Sequence, residues 1–198
     1  MGRPSNKAER RAEIVQALMQ VMAEKGYGGA SIQAIAKQAG LTPGLIHYHF
    51  KTKQDILLES VTQLSMIMQG RFEFLSEKSE SAEERLKAFI NARLAKGDGS
   101  SEKAVEAWVM ISAEAVRQPE VKTVYLEAMK TQKKILKEFL LDYFEKKITG
   151  KKLESKVAFV MAFMEGAFTL SISAGEVMPK NWAAVELMSI LTRERQLL

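Results

Sequence analysis

The chain has 198 residues, 46% of them hydrophobic and 27% charged, with a formal net charge of +5 and no cysteine. This length allows one or two domains with an ordinary buried core. The absence of cysteine excludes disulfide frameworks, thiolate-bound zinc, iron–sulfur clusters and thiol nucleophiles. Residues 1–11 lack the apolar run of a signal peptide, and the most apolar stretch, 157–174, carries Glu165 and is shorter than the ~20 residues that span a bilayer. We therefore expect a cytoplasmic protein without membrane association.

The excess positive charge lies in the first quarter of the chain. Residues 1–53 contain eight Lys and Arg against three Glu, whereas basic and acidic residues are equal in number over 54–198. This asymmetry is typical of a polyanion-binding head on a neutral body. A basic tail with solvated lysines would give the same count, so charge alone does not decide between the two.

Sustained apolar periodicity of about 3.6 residues, with four prolines and no long β-branched runs, predicts an all-α protein. The first helix should stop at Lys25, with Gly26 directly after it. Capping residues predict the next starts: Ser31 before 32–38 and Thr42 before a helix that opens on Pro43. Two capping boxes open later helices, Thr52 with Asp55 and Ser81 with Glu84.

The second half continues with longer helices. The segment 96–101 is the clearest loop, and Pro119 should start a helix that Gly150 ends. Two further helices are expected at about 153–175 and 180–195.

Residues 31–50, SIQAIAKQAGLTPGLIHYHF, have the spacing of a helix-turn-helix, whose second helix can lie in the DNA major groove. Ala36 is small where the helices approach, and Gly40 suits the tight turn. Apolar residues that would lock the pair together are Ile35, Leu41 and Ile46. A plain helical hairpin could show the same pattern.

The run Tyr48-His49-Phe50-Lys51-Thr52-Lys53 that follows is rich in side chains that donate to phosphates. With Gly44 before it, this stretch resembles the TetR family of bacterial transcriptional regulators, and the similarity covers residues 8–60. His47 departs from the family, which usually has Tyr or another aromatic there. Leu45 is apolar, and both residues bear on which bases are read.

The resemblance implies DNA contacts for a set of head residues. Ser31 should bind a phosphate, and Tyr48, His49 and Lys53 should clamp the backbone. The residues expected at base edges are Thr42, Pro43, Gly44, Leu45 and His47. The arm around Arg3 resembles the minor-groove arms of some family members, although such tails are often only disordered.

The resemblance further implies a head over 1–53 and a helical ligand-binding and dimerisation domain over 54–198. The segments EAWVMISAEAVRQPEVKTVYLEAM and, more weakly, FVMAFMEGAF resemble the choline-responsive branch of the family. The expected protein is a homodimeric repressor on a palindromic DNA operator, released by a small-molecule effector.

Residues 157–174 are apolar on every side, so a helix there must be covered all round. A partner subunit could cover one face, and an intramolecular core helix is the alternative. Candidate interface residues are Phe159, Ala162, Phe163, Gly166, Trp182 and Met188.

A ligand pocket is expected among the middle helices. Its candidate residues are Trp108, Ile111, Glu114, Tyr125, Met129 and Met164. The expected ligand is an unspecified apolar or amphipathic metabolite. A quaternary ammonium is the alternative, because aromatic faces and an acid suit it.

No catalytic constellation is recognisable. His47 and His49 are the only histidines, and their i, i+2 spacing points them ~200° apart on a helix, so they cannot chelate one metal. We predict no catalytic residue, metal or cofactor. The alternative to a DNA-binding regulator is a basic-headed interaction or membrane-surface module without DNA specificity.

Overall fold

The structure is a computed structural model that describes residues 6–95, 97 and 99–198. Within these ranges the chain forms nine α-helices and one 3₁₀ turn, without strands, which confirms the expected all-α class. The helices are α1 Asn6–Gly29, α2 Ile32–Ala39, α3 Pro43–His49, α4 Lys53–Ser76, α5 Ala82–Leu94, α6 Glu102–Ala115, α7 Pro119–Tyr143, α8 Gly150–Ser173 and α9 Trp182–Gln196, with the 3₁₀ turn at Gly175–Val177.

The predicted caps form as local hydrogen bonds. The Ser31 hydroxyl accepts from the Ala34 N–H at 3.1 Å, and the Thr42 hydroxyl accepts from the Leu45 N–H at 3.3 Å. Thr52 and Asp55 exchange reciprocal bonds of 2.9 and 3.1 Å, and Ser81 forms its box with Glu84. These side chains satisfy backbone donors that the first turn of a helix leaves unpaired.

Two glycines set sharp changes of direction in the N-terminal helices. Gly26 interrupts α1 with φ +66° and ψ 171°, a conformation that is almost restricted to glycine. Gly40 ends α2 in the left-handed region, and its N–H donates to the Lys37 carbonyl. The helix break after Lys25 and the turn at Gly40 are as predicted.

The prediction that Gly150 ends a helix was wrong, because it is the first residue of α8. Helix α7 already ends at Tyr143, and the chain then passes through two left-handed non-glycine residues, Glu145 and Lys146. The Lys146 N–H donates to the Leu141 carbonyl at 2.9 Å, which closes the helix in the Schellman manner without a glycine.

The chain divides into two compact units. The first unit takes residues up to Leu64 together with Met110–Ala128, and its core is built around fully buried apolar side chains. These include Ile14, Leu18, Tyr27, Ile35, Ile46, Ile56 and Leu57. The unit therefore includes more of the chain than the functional head expected over 1–53, and that head remains a prediction.

The second unit takes Ser65–Val109 together with Met129–Leu198, and in it α5, α8 and α9 pack against one another. The rings of Phe72, Phe89 and Phe139 form one cluster, with centroids 4.8 to 6.2 Å apart. Helix α8 is long and apolar enough to cross a membrane by length and composition. One side of it is buried in this unit, and most of its other residues are half-buried or exposed.

Candidate nucleic-acid interface

Helices α2 and α3 form the helix-turn-helix with a closed turn between them. The Leu41 N–H donates to the Ala36 carbonyl at 2.9 Å, and Ile35, Ala36 and Ile46 are buried. The small Ala36 side chain lies in the core, where a larger one would meet neighbouring atoms. The motif is therefore held rigidly, which a DNA-reading helix requires.

The start and outer side of α3 are open to solvent. Thr42, Pro43, Gly44 and His47 are exposed, whereas Leu45 is half-buried. A Cβ added at Gly44 would meet no atom within 4 Å, so this part of the helix is free for close approach by a ligand backbone or base. Four of the five residues that the resemblance assigns to base edges are thus accessible, and Leu45 is the exception.

Tyr48 is 75% exposed although it is a large aromatic residue. Its ring meets the edge of the His49 ring at a centroid distance of 5.0 Å, and its hydroxyl end is free to reach a partner. Exposed aromatic rings with a polar tip are common where one macromolecule contacts another.

His49 is only half-exposed, and its Nδ1 is buried without a hydrogen-bond partner among the described residues. Burial lowers the pKa of His49, and the positive charges of Arg11, Lys7 and Arg10 lower it further. The imidazole is accordingly neutral near pH 7, and it would contact a phosphate through a neutral N–H.

Sequence reasoning missed Arg11, which organises the end of α3. Its Nη1 donates to the His49 carbonyl at 2.7 Å, its Nη2 pairs with Glu59 on α4 at 2.5 Å, and its guanidinium lies 4.0 Å from the centre of the Phe50 ring. These contacts tie α1, α3 and α4 together. The partners lie 38 and 48 residues away, so only the basic character of Arg11 was visible in the sequence.

Lys53 has a structural role in addition to the predicted phosphate contact. Its ammonium donates to the Tyr27 carbonyl at 2.8 Å and lies 3.8 Å from the centre of the Tyr27 ring. Burial lowers the pKa of Lys53, and the nearby Glu120 carboxylate opposes that shift. The neighbouring Lys51 is exposed.

The remaining head candidates lie at the edges of this surface. Ser31 is exposed at the N-terminus of α2, where the free backbone N–H groups of a first turn suit a phosphate. Arg3 lies outside the described residues. The predicted DNA contacts of all these residues remain predictions.

On α8, small side chains spaced four residues apart, Ala158, Ala162 and Gly166, form an exposed row. Phe159 beside it is 39% exposed, and a Cβ at Gly166 would meet no atom within 4 Å. Phe163 and Trp182 are half-buried, and their rings meet edge to face at 5.6 Å. Met188 on α9 is also half-buried.

The six ligand-site candidates are divided between the units. Ile111, Glu114 and Tyr125 belong to the first unit, and Trp108, Met129 and Met164 to the second. Glu114 is buried, pairs with Arg117 at 3.0 Å, and lies against Gly26.

Trp108 is buried and donates from its indole nitrogen to both carboxylate oxygens of Glu165 at 3.1 Å. In the second unit a cavity of about 330 Å³ is lined by none of the six candidates. No group of three or more His, Cys, Asp or Glu suited to a metal ion occurs in the described part of the chain.

A comparison with protein families matches residues 14–60 to the family described as bacterial regulatory proteins, tetR family. The match covers most of α1, all of α2 and α3, and the beginning of α4. Over this segment the chain is similar to the TetR family. The members of that family are DNA-binding transcriptional regulators, and the relatives of this chain are regulators rather than enzymes.

Relatives of this chain include two proteins named HTH-type transcriptional regulator BetI. The one from Escherichia coli K12 is 25% identical over 178 residues, which is 88% of each chain. The one from Rhizobium meliloti is 26% identical over 113 residues, 57% of this chain and 55% of that protein. The fatty acid metabolism regulator protein of Bacillus subtilis is 35% identical over 80 residues, 40% of this chain and 41% of that protein. In the last two comparisons the chain spans about half of the relative's length.

Solved structures share the fold over nearly the whole chain. A transcriptional regulator from Pseudomonas aeruginosa PAO1 superposes with a TM-score of 0.80 at 18% identity, over 96% of this chain and 92% of that one. A regulator from Saccharomonospora viridis, solved in complex with choline, has a TM-score of 0.66 at 20% identity, over 94% and 95% of the two chains. These similarities confirm a TetR fold, with a helix-turn-helix domain and a larger helical body.

Proposed function

We propose that this chain is a cytoplasmic transcriptional repressor that binds a palindromic operator as a homodimer and is released from it by a small molecule. The observation that carries the proposal is the open surface of α3, on which Thr42, Gly44, His47 and Tyr48 are exposed. The same helix is fixed from behind by the buried Ile46 and by Arg11.

In the proposed complex α3 lies in the major groove. Thr42 and His47 present hydrogen-bonding groups to base edges, whereas Pro43 and Leu45 offer apolar contact, for example to a thymine methyl group. Tyr48, the N-terminus of α2 at Ser31, and His49 bind the phosphate backbone, which sets the register of α3 on the duplex.

The exposed row on α8 supports the homodimer. Small residues at every fourth position allow a second helix to approach closely, and Phe159, Phe163 and Trp182 border the row. Pairing α8 and α9 with their symmetry mates would form a four-helix interface. The two recognition helices would then occupy major-groove sites about 34 Å apart.

Release by a ligand requires that the second unit influence the first. Helices α4, α6 and α7 each have residues in both units. In the first unit, Glu114 near the end of α6 lies against Gly26, and Gln118 just before α7 lies near Gly28. A ligand that shifts α6 or α7 would act on the end of α1, and a coupling of ~1–3 kcal/mol would weaken operator binding about 5- to 150-fold.

The proposal is tested by equilibrium binding to a mixed-sequence DNA duplex and to phosphatidylglycerol vesicles at several salt concentrations. A dimer with about 6–10 phosphate contacts should lose ~10³–10⁵ in duplex affinity between 50 and 200 mM salt. Tyr48→Phe should weaken duplex binding, whereas Tyr143→Phe, whose hydroxyl meets Thr192 inside the second unit, should not. Binding to vesicles but not to duplex would overturn the proposal.

The effector expected first is an unspecified apolar or amphipathic metabolite. A quaternary ammonium is the alternative that the choline-responsive resemblance suggests, and the regulator solved in complex with choline supports that alternative. The aromatic faces that the sequence suggests for it are Trp108, in the second unit, and Tyr125, in the first. Calorimetric titration with choline and betaine aldehyde tests this alternative. The absence of both binding heat and operator release at millimolar ligand would rule it out.

A further inference from the structure

The second unit contains a cavity of about 330 Å³. Its walls come from α4, α5, α6, α8, the 3₁₀ turn and the beginning of α9. A cavity of about 150 Å³ holds a benzene molecule, so this one suits a compound roughly twice that size. It lies within the usual range of small-molecule sites.

The charged residues in the cavity wall are predominantly basic. The described lining contains three basic residues, Arg71, Arg93 and Lys180, and one acidic residue, Glu102, which gives a net charge of +2. Arg71 is buried, and its Nη1 donates to the Ala92 carbonyl at 2.9 Å, which fixes the side chain in the wall. A positively charged ligand would be repelled here, and an anion would be attracted.

Arg93 has unused hydrogen-bonding capacity. Its guanidinium lies 3.5 Å from the centre of the Phe89 ring, and its Nη1 donates to the Phe89 carbonyl at 3.2 Å. Its Nε is buried and has no hydrogen-bond partner in the described ranges. Burial lowers the pKa of Arg93 to about 10, so the group remains charged at neutral pH. A buried charged donor without an acceptor is destabilising, and a ligand oxygen would relieve that cost.

The rest of the wall is largely apolar. Met68, Val105, Phe168, Ile172 and Trp182 contribute hydrocarbon and aromatic surface. The cavity therefore combines an arginine at one place with an apolar surface elsewhere, which is the pattern expected for a ligand with an anionic head and a hydrophobic body.

We propose that the cavity binds a small amphipathic carboxylate, with its head on Arg93 and its apolar body against Phe168 and Val105. The planar guanidinium fork matches the two oxygens of a carboxylate. That this ligand is also the effector rests on the proposed function, whereas the binding itself does not. A quaternary ammonium accepts no hydrogen bond, so it does not suit this cavity.

The test uses the full chain and three probes of equal chain length: octanoate, 1-octanol and octyltrimethylammonium. Isothermal titration calorimetry should show octanoate binding at least about tenfold more tightly than 1-octanol, with octyltrimethylammonium the weakest. Equal binding of octanoate and 1-octanol, tighter binding of the ammonium, or no octanoate binding at millimolar concentration would overturn the proposal.

Variants then test the role of Arg93. Arg93→Met should weaken octanoate binding about 10- to 100-fold and leave 1-octanol binding nearly unchanged, with Arg93→Lys intermediate. The control is Arg85→Met on the same helix, since the Arg85 side chain is half exposed and lies 3.8 Å from Asp142. Unchanged octanoate affinity in a folded Arg93→Met variant would overturn the assignment. If Arg93→Met does not fold, the assignment is tested by the octanoate affinity of Arg93→Lys and by the comparison of the three probes on the wild type.

A separate measurement keeps the two proposals distinct. Octanoate is added to the chain bound to duplex, and release is followed by fluorescence anisotropy. Binding in the calorimeter without release of DNA would support the site and contradict the role of the carboxylate as effector. Failure to bind duplex at all would contradict the proposed function and leave the calorimetric result standing.

Discussion

Two neighbouring lysines after α3 differ in their surroundings, although the sequence presents them as equivalent cations. Lys51 is exposed, whereas Lys53 is hydrogen-bonded to the Tyr27 carbonyl and lies over its ring. One is free for a phosphate, and the other also connects α1 with the beginning of α4.

We therefore expect the two substitutions to separate stability from DNA binding. Lys53→Met should lower the free energy of unfolding by about 1 kcal/mol, because it removes a partly solvated charged hydrogen bond, and should weaken DNA binding too. Lys51→Met should leave unfolding unchanged and flatten the salt slope of DNA binding by about one unit per lost contact. Urea unfolding measures the stability of each variant, and fluorescence anisotropy at several salt concentrations measures its DNA binding. If Lys53→Met is as stable as the wild type, the contact with Tyr27 is not a stabilising one.

His49 should make the stability of the protein depend on pH. Because burial and nearby cations lower its pKa in the folded protein, the unfolded chain binds the proton first as pH falls through about 6.5. The contribution of neutral His49 to the free energy of unfolding is therefore complete above that pH and decreases as the pH falls below it. Urea unfolding at pH 7.5 and 5.5 should show this loss in the wild type and in His47→Gln, but not in His49→Gln. An equal loss in all three proteins would contradict it.

At the scale of the element, the end of α1 depends on a backbone conformation that only glycine adopts readily. Gly26→Ala should lower the free energy of unfolding by ~1–3 kcal/mol, because its φ is +66° and the new Cβ would lie 3.0 Å from the Glu114 carboxylate. The matched control is Gly70→Ala in α4, where a new Cβ meets nothing within 4 Å. The higher helix propensity of alanine should raise the free energy of unfolding of this control by ~0.5–1 kcal/mol. Chemical denaturation measures both, and equal stability of the two variants would contradict the prediction.

Helix boundaries were predictable where their signals are local. Ser31, Thr42 and Ser81 cap backbone groups three residues away, so sequence spacing is sufficient to find them. The end of α7 was missed because Glu145 and Lys146 adopt left-handed conformations that usually mark glycine.

Features assembled from distant segments were not predictable in the same way. Arg11 meets its partners on α3 and α4 far along the chain, and the cavity wall combines residues from six elements. Helical periodicity shows which side chains share a face, but it does not show which faces meet. The exposure of Thr42, Gly44, His47 and Tyr48 was easier to predict because these residues lie on or next to a single short helix, α3.

At the scale of the whole molecule, the exposed row on α8 predicts where two copies meet. Gly166→Glu should leave the single chain folded, since nothing lies within 4 Å of the new Cβ, but it would place an unpaired charge in the dimer interface. Phe163→Glu should act similarly. Sedimentation velocity should then show a monomer that has lost operator binding, whereas Lys134→Glu on the exposed side of α7 should remain dimeric. A wild-type monomer at micromolar concentration would contradict the predicted interface.

The most direct test of the central claim is selection of bound duplexes from a random-sequence library by the wild-type protein. Two α3 helices related by a two-fold axis should enrich a palindromic motif, with half-sites separated by about one helical turn or a multiple of it. Recovery of duplexes with no common sequence, or with a single half-site and no symmetry mate, would contradict the account.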